Sequence, residues 1–317
     1  MIQNKKIAII TTNSFGYIDF VAERLRNNSN VDLLFINIDT IPFSYGNRLL
    51  RFCNIFLKLF LGFGLKEINR TNFIINAFSS EGKFDQVLIV RPDKLTKKAL
   101  FFIKENCNEM NTFLFDGIEN FKKQKKLLCY FDTVYSYDRK DVEKYNLKFL
   151  TNFIFDDKID TTVKSQQVFN ISSFDNRFFL LEKLAKELKK NNISYRFIVK
   201  KKKKESHSNI EVIDKYLSLK EVKKIIAASD ILVDIQKENQ TGLSFRVFES
   251  LGYNKKLITN NQDIKNYDFY DERNIYVIDG HDFSIPKEFF ESEYNKVCPK
   301  IIENYKLDHW NKVVFDI

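Results

Sequence analysis

Proline and glycine are scarce, four and nine among 317 residues. That excludes collagen-like chains and Gly/Pro-rich low-complexity chains. Histidine occurs three times, at His207, His281 and His309, with no metal-ligand spacing, so a metal centre is not indicated. The four cysteines, Cys53, Cys107, Cys129 and Cys298, stand far apart without a CxxC pair. A disulfide framework is thereby excluded, and the expectation is four buried thiols in a reducing compartment. Neither GxGxxG nor GxxxxGK[ST] occurs, which removes support for a dinucleotide enzyme or a P-loop NTPase. The lead "MIQNKK" runs directly into "IAII", without the apolar core and cleavage site of a signal peptide. A cytoplasmic product is expected.

Positive charge is in excess: 51 Lys and Arg against 42 Asp and Glu give a net charge of +9. Such a chain favours anionic partners, whether phosphorylated small molecules, anionic lipid surfaces or nucleic acid. The run Lys200 to Lys204 reads as a solvated loop. Because the basic runs lack interleaved aromatic platforms or a recognition module, no nucleic-acid partner is expected, and a basic nucleic-acid-binding protein is kept only as the non-enzymatic alternative. At 317 residues, 44% of them hydrophobic, the chain is long enough for two domains with substantial cores.

Short β-branched runs alternate with helical periodicity. "KIAIITT", "VDLLFINI", "FDQVLIVRP", "NTFLFDG" and "FDTVYSYD" read as strands, and "YIDFVAERLRNN", "TKKALFFIKENCNE" and "RKDVEKYN" as helices. The pattern resumes at "VFNISS", "SYRFIVK", "NIEVIDK", "DILVDIQ" and "KKLITNN", with helices "NRFFLLEKLAKELKKNN", "LKEVKKIIAAS" and "SFRVFESLGY" between them. Alternation of this kind predicts parallel crossover sheets. The expected fold class is therefore α/β, two Rossmann-like domains facing a cleft. The expected boundaries are 1–155, 156–284 and a helical segment 285–317 that packs back on the first domain.

Ligands in open α/β sheets bind at the carboxyl ends of the strands, which directs attention to "SDILVDIQKENQTGLSFRVFESLGYNKKLITNN". After the strand "ILVDI" comes a polar loop with Gly242, then a helix with Arg246 and Glu249 on one face. A guanidinium there neutralises a diphosphate, and a carboxylate accepts from two ribose hydroxyls. The same spacing also fits an exposed Arg–Glu pair that merely stabilises its own helix.

The segment "ENQTGLSFRVFESLGYNKKLITNN" resembles the donor-side segment of bacterial glycosyltransferases of GT-B architecture, in particular a group tied to capsule and lipopolysaccharide synthesis. The matching positions are Gln240, Gly242, Leu243, Arg246 and Glu249, and "FDTVYSYDRKDVEKYNLKFLTNFIF" resembles the end of that group's first domain. The resemblance implies that Glu249 holds the donor ribose, that the Gly242 loop faces the diphosphate, and that residues 1–155 form the acceptor side and 156–284 the donor side. Thr241 stands where the retaining pattern has a second Glu, so retention and inversion both remain open. The implied partners are a nucleotide-sugar donor and a glycan or lipid-linked glycan acceptor. No cofactor is implied beyond the nucleotide sugar as substrate, and no metal. A sugar-nucleotide epimerase of the same architecture is the enzymatic alternative.

In "NISSFDNRFFLLEKL", Arg177 follows a strand and is a candidate diphosphate ligand; an N-capped helix with a surface Arg is the plain alternative. Glycosyl transfer needs a base for the acceptor hydroxyl or help from the leaving phosphate. Asp116 and Asp19, both following first-domain strands, are the candidates for that base, and each also fits a cap or a turn. The segment "NRLLRFCNIFLKLFLGFGLKEINR" carries Arg51, Asn54 and Lys58 as a polar stripe on an otherwise greasy helix. It fits a helix lying on an anionic membrane surface, or one buried against the sheet.

Overall fold

The computed structural model describes residues 4–160, 164–202, 207, 209–237, 240–279 and 283–317. The chain divides into two compact units, Met1–Leu150 and Thr151–Ile317.

The first unit runs β1 (Lys5–Thr11), α1 (Tyr17–Arg26), β2 (Val31–Asn37), α2 (Arg48–Leu61), α3 (Leu65–Glu81), β3 (Phe84–Val90), α4 (Lys97–Glu105), β4 (Cys107–Leu114), β5 (Thr133–Ser136), α5 (Arg139–Tyr145) and β6 (Lys148–Phe149). All strands pair in parallel, in the order β2-β1-β3-β4-β5-β6. Central strands are apolar on both faces: Ile7 to Ile10 and Val87 to Val90 are fully buried, as strands covered on both sides require. Two expected elements differ. The helix read through Glu109 stops at Glu105, because Cys107 pairs with Phe84 and begins β4. The greasy segment is two helices rather than one, broken where Gly62 takes a left-handed φ of 76°.

The second unit runs β7 (Val168–Ser173), α6 (Phe178–Lys190), β8 (Tyr195–Lys200), β9 (Glu211–Ile213), α7 (Leu219–Ala227), β10 (Ile231–Asp234), α8 (Phe245–Gly252), β11 (Lys256–Thr259), β12 (Ile275–Val277), and three short helices α9 (Lys287–Glu291), α10 (Pro299–Glu303) and α11 (Leu307–Phe315). Its sheet is also parallel, in the order β12-β11-β10-β7-β8-β9. The chain builds outward from β7 on one side, then returns to β7's other side with β10. The point of reversal lies between β7 and β10, where open sheets of this order leave a crevice at the carboxyl ends. Leu307 N donates to the Ile154 carbonyl, and Trp310 packs against Phe153, so the terminal helix and residues 153–154 share one apolar cluster.

The cysteine expectation fails at three of four positions. Cys107 is buried, and its thiol is pushed up to about 11 by that burial. Cys53, Cys129 and Cys298 are exposed. Of the lysine run, Lys200 and Lys201 stack over Tyr216 and Phe174 at 4.4 and 4.1 Å rather than standing free in solvent. Lys203 and Lys204 lie outside the described residues, as does His281.

Candidate functional site

The carboxyl edge of the second sheet gathers polar side chains from three neighbouring strands. β10 ends at Asp234, which is buried and accepts from Ser244 Oγ at 2.8 Å. Ser244 is the N-cap of α8, its Oγ accepting from Arg246 N at 3.1 Å. The hydroxyl thus links a buried acid to a helix N-terminus in one relay. Two residues beyond Asp234, the Gln236 side chain donates to the carbonyls of Gly242 at 2.5 Å and Gln240 at 3.4 Å. From the end of β11, Asn261 Nδ2 donates to the Thr241 carbonyl at 2.9 Å. Three successive loop carbonyls are therefore held by side-chain amides, which fixes the path of the loop into α8. Leu243 is buried, and its carbonyl accepts from Asn152 at 2.9 Å.

On α8, Arg246 Nη1 lies 2.5 Å from Glu249 Oε2, with side-chain exposures of 12% and 4%. The pair is intrahelical, but it is not the exposed pair that spacing alone allowed. Beyond this ion pair, Nη1 and Oε2 make no hydrogen bond, and neither does Asp234 Oδ2. Unfilled hydrogen-bonding capacity on buried charged groups is costly. Three such atoms lie on or beside the first turns of α8. Burial pushes both carboxyls above their ordinary range: Glu249 despite Arg246 and with help from Asp234, Asp234 despite Ser244, Arg177 and Arg246. The Arg246 guanidinium also sits over the Phe169 ring at 5.7 Å.

Arg177, just past β7, forks onto Asp175 through Nε at 2.8 Å and Nη2 at 2.7 Å, and its Nη1 reaches the Ile235 carbonyl at 3.1 Å. It therefore spans the β7/β10 reversal point. Three of its five N–H donors are committed and two remain. Burial alone would raise Asp175; the bonds from Arg177 outweigh it and hold that carboxyl low. No side chain caps the start of α6 at Arg177, unlike the capped helix with a surface Arg that the sequence also allowed.

The first-unit candidates are not brought together in the same way. Asp19 lies exposed in the first turn of α1, after β1, and partial burial raises its pKa against the pull of Arg26. Asp116 follows β4 and is half-buried. With β3 between β1 and β4, the two strand ends are about 10 Å apart. Between them falls Arg91, which the sequence reading passed over. It adopts a left-handed φ of 65°, forks onto Asp93 at 2.9 Å, and its charge is favoured by that bond and, more weakly, by Asp116 and Asp39. Among the described residues no group of His, Cys, Asp or Glu is arranged to hold a metal ion.

No family model matches this sequence, and no curated protein matches it. Solved structures do match in shape. The S. aureus MnaA–UDP co-structure shares 12% identity at a TM-score of 0.52, over 99% of this chain and 98% of that one. UDP-GlcNAc 2-epimerase from Methanocaldococcus jannaschii shares 9% identity at 0.54, over 98% and 100%. This chain has the GT-B pair of Rossmann-like domains. The OtsA apo structure agrees at 0.54 and 9% identity, over 98% of both chains. At such identities the likeness is one of fold.

Proposed function

We propose that the protein is a glycosyltransferase that moves a sugar from a nucleotide-sugar donor to a bacterial surface glycan, the donor being held at the carboxyl edge of the second sheet. One observation carries the reading: Glu249 is buried one turn into α8, ion-paired with Arg246 and with no hydrogen bond to Oε2, on the helix that follows β10 at the β7/β10 reversal point. In this role Glu249 accepts from the two ribose hydroxyls. Gln240, Thr241, Gly242 and Leu243 set the loop over the diphosphate, while Arg246, the two remaining donors of Arg177 and the α8 N-terminus offset the charge of the departing nucleoside diphosphate. Asp116 or Asp19 takes the acceptor proton. The acceptor belongs to the lipopolysaccharide, lipooligosaccharide or capsule class, built in the cytoplasm at the inner face of the membrane. No metal or further cofactor enters this scheme.

The UDP of the MnaA co-structure and the UDP-GlcNAc 2-epimerase among the similar folds favour a UDP-sugar donor. They also motivate a second reading, a sugar-nucleotide epimerase. The two separate cleanly in a product assay. A UDP-sugar chosen by thermal shift from a panel of UDP, GDP, CMP and ADP sugars is incubated with and without glycan acceptor. Release of UDP that requires the acceptor supports transfer, whereas an epimer formed from donor alone replaces it with epimerisation.

A further inference from the structure

The faces of α2 are inverted. Leu49, Phe52, Ile55, Phe56, Leu59 and Phe60 are 47% to 76% exposed, while the one buried side chain described on this helix is the polar Asn54. Asn54 has a structural duty. Its Oδ1 accepts from Leu65 N at 2.8 Å, capping the first turn of α3, and its Nδ2 reaches the Tyr45 hydroxyl at 3.3 Å. The helix is thus anchored by its polar side and presents its apolar side outward. Phe52, Phe56 and Phe60 form a continuous ladder, with ring centroids 5.2 and 6.4 Å apart. A contiguous apolar patch of this kind marks an interaction surface.

Charge identifies the partner. No acidic residue occurs between Asp39 and Glu67, whereas Arg48, Arg51, Lys58 and Lys66 all fall there, the first three exposed on α2 itself. Pairing two copies through α2 would bring these like charges together. A bilayer with anionic headgroups accepts both the phenylalanines and the cations. Fourteen residues make a helix of about 21 Å, short of a hydrocarbon core of about 30 Å, and no described helix is long and apolar enough to cross a membrane. We propose that α2 docks the protein on a bilayer surface rich in anionic lipid, lying in the plane of the headgroups with Phe52, Phe56 and Phe60 inserted.

The proposal stands independently of the donor site. Its test is sedimentation of the full chain with vesicles of phosphatidylcholine alone and of equimolar phosphatidylcholine and phosphatidylglycerol. About tenfold more protein should pellet with the anionic vesicles. F56E/F60E should abolish that binding, since both side chains face solvent and can change without disturbing the fold. R51Q/K58Q should weaken it several-fold and remove most of its salt dependence. Absence of binding by the wild type, or unchanged binding by F56E/F60E, overturns the proposal. So does a dimer in sedimentation velocity that F56E/F60E dissociates while vesicles pellet nothing. The thermal shift with UDP, GDP, CMP and ADP sugars is measured on the same variants: vesicle binding without a shift from any of them sinks the glycosyltransferase reading and leaves the docking surface standing.

Discussion

Burial makes the ionised forms of Glu249 and Asp234 costly. Both carboxyls have raised pKa values, chiefly through burial. Their contribution to stability is therefore fully present below the ordinary values of 4.5 and 3.8, and is lost as pH rises through the higher native values. Glu249→Gln fixes the neutral form, so the variant should match the wild type in Tm at low pH and exceed it by a few degrees at about pH 8. Its donor affinity should move the other way. Glu249→Ala should lose about 3 kcal/mol of UDP-sugar binding, roughly 150-fold in Kd by isothermal titration, for two charge-assisted hydrogen bonds. Glu249 was visible in the sequence because motif and helical spacing coincide there. Asp234, Gln236 and Asn261 were not, since an acid or amide ending an apolar strand reads as an ordinary turn residue until its partner in another loop is known.

Elements were legible wherever apolar runs were long and were lost at their ends. The α/β alternation follows from runs such as "VLIV", but the start of β4 was hidden because Cys107 belongs to a strand only by pairing with Phe84. α2 and α3 looked like one helix because Asn54, a cap acting across eleven residues, resembles any surface polar residue. Asn54→Ala should cost about 1–2 kcal/mol in denaturant unfolding, since a part-buried first-turn N–H of α3 loses its acceptor. At the far end of α8, a methyl group on Gly252 would come 2.6 Å from Ile154 Cγ2 and 2.8 Å from the Asp156 carbonyl. Asp156 is itself pinned by Lys223 at 2.6 Å and Tyr253 at 2.9 Å, so it yields little. Gly252→Ala should therefore destabilise by about 1–3 kcal/mol and, by shifting α8, weaken donor binding as well.

For the whole molecule, the parallel sense of both sheets was legible in the sequence, but the two-residue β6 was not, and neither was strand order, which depends on which side of the first strand each crossover returns to. That order decides where a ligand fits: the reversal falls between β1 and β3 in one unit and between β7 and β10 in the other. Each reversal carries an Arg–Asp fork, Arg91–Asp93 and Arg177–Asp175, but the buried carboxylate with unfilled capacity beside an arginine belongs to the second unit. Amide hydrogen exchange of the full chain, with and without saturating UDP, tests this placement most directly. The account predicts slowed exchange in residues 173–177, 240–249 and 259–262, with the β1 and β3 ends unchanged. Protection confined to the first sheet's edge, or none at residues 240–249 while UDP is bound, would contradict it.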